Sequence, residues 1–180
     1  MESSSAAYER LVQRLRGEIA KARSLHAKYG GDISRSENIA GLLACYRRAM
    51  EDTAMLNREM EVPATCSRCA TGVAGGCCFQ GIEEGYDHVL LLTNLLMGCS
   101  IPDSPEMPGS CFFVGKLGCK LVARFYFCLH YFCPDLKYSL GPSGISRLLG
   151  KLGAELQAGW ELEQAIRGWL KSVGNNPCLT

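Results

Sequence analysis

Apolar residues recur at spacings of three and four along much of this chain, the period of helices that bury one face. Between residues 6 and 29, Tyr8, Leu11, Val12, Leu15, Ile19, Ala22 and Leu25 form such a stripe, with Arg and Glu between them. Ser5 is placed to cap this helix at its start, and Gly30-Gly31 to end it. Ser34-Arg35-Ser36-Glu37 then has the Ser-x-x-Glu form of a capping box. A second stripe of Ile39, Leu42, Tyr46, Ala49, Thr53, Leu56 and Met60 runs up to Pro63, which closes it. Two helices joined by a Gly-Gly-Asp turn predict an antiparallel hairpin over residues 6–62.

Residues 64–81 are small and glycine-rich and predict a loop. A short, strongly apolar helix is expected over 82–97, where Leu90, Leu91, Leu92, Leu95, Leu96 and Met97 go most of the way round, the mark of a buried central helix. Glu83 and Asp87 would share its first turn, facing solvent. Pro102, Pro105 and Pro108 make 98–110 irregular. Helix returns from Pro142 to Lys171 with a stripe of Ile145, Leu148, Leu149, Leu152 and Leu156, and Gly153 and Gly159 are expected to bend or split it. The tail from Gly174 reads as frayed. The fold class is therefore mainly α, in a single domain over 1–180. An N-terminal helical hairpin (6–62) and C-terminal helices (141–172) pack around an irregular cysteine-rich metal-binding region (63–134).

Composition narrows the functions. At 180 residues, 47% hydrophobic and 21% charged, the chain is long enough for a sizeable core. A formal net charge of +1 gives no electrostatic case for nucleic acid or an anionic membrane, so neither is expected as a partner. The longest apolar runs, Val89 to Leu92 and Phe125 to Leu129, are too short to span a bilayer. Residues 1–6 lack the basic and apolar regions of a signal peptide. A cytoplasmic protein with reduced thiols is expected.

That expectation governs the reading of the cysteines. Eight of the eleven lie in two sets: Cys66, Cys69, Cys77 and Cys78, then Cys111, Cys119, Cys128 and Cys133. An odd total excludes complete internal disulfide pairing, and dense thiols in a reducing compartment point to metal ligation. Cys66-Ser67-Arg68-Cys69 aims two sulfurs at one centre, whereas the adjacent Cys77 and Cys78 point apart unless a tight turn intervenes. Gly115 and Gly118 predict a turn that returns Cys119 toward Cys111. Phe112, Phe113, Phe125, Tyr126, Phe127, Tyr131 and Phe132 would wrap the site and exclude water. Cys45 and Cys99 read as buried small hydrophobes and Cys178 as a tail thiol. His26 reads as a helix C-cap, His88 as a satisfied histidine, and His130, between two candidate ligands, as a neighbour of the site more than a ligand.

The cysteine order resembles the YkgJ-like, or CxxCxxCC, family of zinc- or iron-chelating domains. Its first half is matched by Cys66, Cys69, Cys77 and Cys78, and its second by Cys111-Phe112-Phe113-Val114, Gly118-Cys119, Arg124-Phe125, Cys128 and Cys133. Residues Ala70 to Gly76 lengthen the usual gap, and Phe112 and Phe125 replace the family's prolines. The resemblance implies a cysteine-ligated metal and a distant likeness to flagellin lysine methylases.

All-cysteine sets suit zinc or an iron–sulfur cluster. Only one Cys-x-x-Cys is present where a zinc ribbon has two, and the aromatic surround favours iron–sulfur, expected as 4Fe–4S. Three function classes follow: a redox or iron–sulfur module, a structural zinc protein that meets a protein partner through its N-terminal hairpin, and a methyltransferase-like enzyme. No Gly-x-Gly-x-x-Gly nucleotide motif accompanies the third.

Overall fold

A computed structural model describes residues 4–70, 78–116 and 118–174, excepting the side chains of 4–5 and 67–70. The chain is mainly helical. Its elements are α1 (Ser4–Arg35), α2 (Glu37–Glu59), α3 (Val62–Ala70), a 3₁₀ turn (Ile82–Gly85), α4 (His88–Leu96), β1 (Val114–Gly115), β2 (Gly118–Cys119), α5 (Tyr126–His130) and α6 (Pro134–Gly174). No helix among the described residues is long and apolar enough to cross a membrane.

Several boundaries differ from the sequence reading. Helix α1 runs through Gly30 and Gly31, and the break falls at Ser36, whose backbone is extended and whose side chain makes no capping hydrogen bond. A glycine weakens a helix interior without ending it, and here neighbouring side chains cover both glycines: the His26 ring lies over Gly30 and the Arg35 guanidinium over Gly31. His26 is thus within α1, not at its end. Pro63 opens α3 instead of merely closing α2, as a proline suits a first helical turn where no amide partner is needed. Cys66 and Cys69 consequently lie on a helix, not in a loop. The expected helix over 82–97 is two pieces, the 3₁₀ turn and α4, because Asp87 caps α4 by accepting from the amides of Val89 and Leu90 at 3.0 and 2.9 Å. In α6 the break comes at Gly141 (φ 63°), directly before Pro142, while the helix continues through Gly153 and Gly159.

α1 packs chiefly on α4 and α2 chiefly on α6, so the apolar faces of the first two helices are covered by later ones more than by each other. Leu15, Ile19 and Ala22 of α1 meet Leu91 and Leu92 of α4, with Leu162 and Ile166 of α6 in the same core. Each such leucine or isoleucine side chain, fully buried, contributes about 1.5–3 kcal/mol of apolar transfer. A second, smaller core gathers Leu56, Val62, Leu129, Phe132, Leu136, Leu148 and Leu152.

Polar bonds fix α4 in place. Glu18 of α1 accepts from both the backbone amide and Nδ1 of His88, at 2.6 and 2.8 Å, which satisfies that histidine. Arg23 grips the Ile101 carbonyl at 2.7 Å beyond the far end of α4. Asp87 is tied to Arg167 of α6 at 2.6 Å.

Candidate metal centre

The segment from Cys111 to Cys128 is held against α4 by one buried residue. Asn94 accepts from the amides of Val122 and Ala123 at 2.9 and 3.0 Å, and its amide group donates to the carbonyls of Ala123 and Leu90 at 2.8 and 3.0 Å. All its hydrogen-bonding capacity is thereby used. Ahead of this clamp, β1 and β2 form a two-residue hairpin in which Val114 pairs with Cys119. Gly118 takes φ 105°, a conformation open to glycine at little cost. The hairpin returns the chain as the two glycines predicted. After the clamp, the Phe125 amide donates to the Tyr86 hydroxyl at 3.1 Å, and the Phe125 ring covers Gly85.

These constraints bring Cys78, Cys111, Cys119 and Cys128 to one region. The Cys111 amide donates to the Cys78 carbonyl at 2.9 Å, next to a bridge between Phe79 and Ser110. Cys111 is buried, and Cys78 and Cys128 pack half-buried on the same core. Burial pushes the Cys111 thiol up to about 12, and the charges of Glu83, Cys119 and Cys128 add to the rise. Cys119 is exposed as a residue, yet desolvation raises its thiol against the Leu121 amide and the Arg124 charge, which lower it. The Tyr86 hydroxyl is held strongly protonated by burial and by Cys119 and Cys128 around it. Tyr86 meets Phe113 edge-on at 4.8 Å, which floors the region with aromatic surface.

Two neighbours were not legible in the sequence. Glu83, expected on a solvated turn, is fully buried. One carboxylate oxygen accepts from the Gly81 amide at 2.8 Å and the other, Oε1, has no partner among the described residues. Cys99, expected to be a buried hydrophobe, is half-buried, with its Sγ 3.1 Å from the Lys120 carbonyl beside Cys119. Cys45, given the same reading, is exposed on α2.

The remaining candidates stand elsewhere. Cys133 packs on the second core with Val62, at the start of the helix that carries Cys66. Its sulfur accepts from the Leu136 amide at 3.4 Å, so Cys133-Pro134 opens α6 as cap and first residue. Cys66 is exposed on α3. The Cys69 side chain, Cys77 and Cys178 lie outside the described residues. His130 stacks on Tyr126 and its Nδ1 lies 2.7 Å from that residue's carbonyl. Of the aromatic wrap, Phe112, Phe113 and Phe132 are buried while Tyr126 and Tyr131 are exposed.

Among the described residues, no three His, Cys, Asp or Glu side chains are arranged to hold one metal ion. The sulfurs share a region without a ligand geometry. The thiol is a soft donor that suits a thiophilic metal once deprotonated, and among the described residues the buried, unpartnered oxygen of Glu83 is the one costly polar atom beside this region. No family model, curated protein or solved structure matches this chain.

Proposed function

We propose that this chain is a cysteine-ligated metal protein of the YkgJ-like kind, carrying an iron–sulfur centre and acting as a redox or iron–sulfur module. The observation that supports the reading is the proximity of Cys111, Cys119 and Cys128, from the second cysteine set, around buried Tyr86, with the backbone of Cys78, from the first set, bonded to Cys111. Those four cysteines are the ligands proposed for one centre. Cys66, Cys69, Cys77 and Cys133 are the set proposed for a second, supported by the packing of Cys133 with the start of α3.

A bound cluster would supply one-electron chemistry. The chain's own residues hold and shield it. Phe112 and Phe113 exclude water from the Cys111 side, and exclusion of solvent and hydrogen bonds to sulfur are what tune such a centre's potential. Tyr86, kept protonated, retains an O–H to donate toward sulfur. Reduced ligand thiols fit a cytoplasmic setting.

The test is metal and acid-labile sulfide content of Cys78→Ser and Cys119→Ser beside Cys45→Ser. Loss in the first two with retention in the third supports the assignment. Equal retention in all three overturns it. Zinc without sulfide, lost in the same two variants, would keep the ligand set and replace redox chemistry with a structural role.

A further inference from the structure

A cavity of about 260 Å³ opens beside the cysteine region, between α2, α4, α6 and the start of α5. It belongs to neither proposed metal site, although Gly85 and Phe125 form a wall common to the cavity and the Tyr86 region.

Its charges are unevenly satisfied. Arg167 is tied to Asp87 at 2.6 Å and to Glu163 at 3.2 Å, so its donors are already engaged by carboxylates. Arg124, half-buried in the same lining, makes no hydrogen bond or ion pair among the described residues. Glu155 lies within electrostatic reach of Arg124 but forms no ion pair with it, and burial favours that carboxyl's neutral form. A guanidinium carries five donors in a planar fork suited to carboxylate or phosphate. Tyr46 reaches the same cavity with its ring buried and its hydroxyl held protonated by burial, without a hydrogen-bond partner among the described residues.

Most of the remaining lining is apolar or aromatic. Trp160 and Tyr126 are 59% and 56% exposed, unusual for large aromatics on a chain that has a core to place them in. With Leu129 and Leu156 they line the cavity, where a planar group can stack on Trp160 and on the face of Tyr126 that His130 leaves open. The volume is below the ~300–1,000 Å³ of sites for drug-sized ligands, so the occupant is small.

We propose that this cavity binds a small planar organic anion, its carboxylate or phosphate on Arg124 and Tyr46 and its flat body against Trp160 and Tyr126. None of the described cysteines lines the cavity, although Arg124 also lies within electrostatic reach of Cys119.

Calorimetric titration of the full chain with phenyl phosphate, benzoate, inorganic phosphate and benzyl alcohol tests it. Saturable 1:1 binding of phenyl phosphate or benzoate is expected, tighter than inorganic phosphate, with none for benzyl alcohol. Arg124→Gln should weaken binding about 10- to 100-fold. Trp160→Ala, at an exposed position that leaves the core intact, should weaken it about threefold or more. Arg124→Lys should restore part of the affinity, since it keeps charge without the fork. No saturable binding, inorganic phosphate binding as tightly as phenyl phosphate, or affinity unchanged in both Arg124→Gln and Trp160→Ala would overturn the proposal.

Discussion

The backbone amide of Cys111 donates a 2.9 Å hydrogen bond to the carbonyl of Cys78. That bond joins the two cysteine sets, which α4 and an irregular loop separate in the chain. It brings the Cys78 backbone to the later set, while Cys133 packs on the second core, which includes Val62 at the start of α3.

Asn94 is the residue on which this arrangement depends most. Replacing it with leucine leaves the amides of Val122 and Ala123 and the Ala123 carbonyl without their partner inside the protein. Asn94→Leu should therefore cost about 3 kcal/mol or more in urea unfolding. Metal content should fall with it, because the clamp positions Cys119 and Cys128. A variant as stable as the parent would show that the clamp is dispensable.

Two glycines give a paired contrast. A Cβ on Gly85 would lie 2.4 Å from the Phe125 ring, so Gly85→Ala must displace the ring that walls the Tyr86 region, at a cost of about 1–3 kcal/mol. Gly153 has open space around its Cβ position within a continuous helix, so Gly153→Ala should stabilise by about 0.5–1 kcal/mol. Thermal or urea unfolding reads both.

Asp87 makes stability depend on acid. Burial opposes its ionisation, but the Arg167 guanidinium and the amides of Leu90 and Val89 outweigh burial and hold its carboxyl below the usual range. A depressed folded pKa gives stability that is present above the unfolded value of about 3.9 and is lost as pH falls through the folded value. Asp87→Ala should cost about 1 kcal/mol near neutral pH through the lost cap. Asp87→Asn should cost less, since it can still cap and the ion pair is partly exposed. Both differences should narrow as the pH falls below the folded pKa, as measured by urea midpoints across pH.

Thiol reactivity separates Cys111 from Cys45. With Cys111 pushed up to about 12, very little of it is thiolate at pH 8, and the group is buried as well. In metal-free folded protein, iodoacetamide should label exposed Cys45 well before Cys111, as peptide mass mapping would show. Simultaneous labelling would mean that the Cys111 region is open in the metal-free protein.

The helices were legible because apolar spacing reports burial wherever a helix has one wet face, as α1, α2 and the later part of α6 do. Their ends were less so. Gly30-Gly31 and Gly153 looked like breaks, whereas the breaks came at Ser36 and at Gly141-Pro142; a helix tolerates a glycine whose neighbours cover or solvate it, but not a positive φ followed by proline. The turn at Gly115 and Gly118 was readable from glycine chemistry alone. Glu83 was not, since a carboxylate in a first turn is ordinarily wet and its burial depends on distant chain packing over it. Asn94 left one signal, a polar amide within the most apolar stretch of the sequence, which is where a buried clamp must be if it is to reach the next segment. Cys99 escaped because its proximity to Cys119 arises from the fold and not from spacing.

The most direct test of the central claim is iron, zinc and acid-labile sulfide analysis, with a visible absorption spectrum, on the unaltered chain purified without oxygen. Brown protein with iron and sulfide in near-equal amounts, bleaching on reduction, is the expected result. Colourless protein carrying neither iron nor zinc would contradict the account.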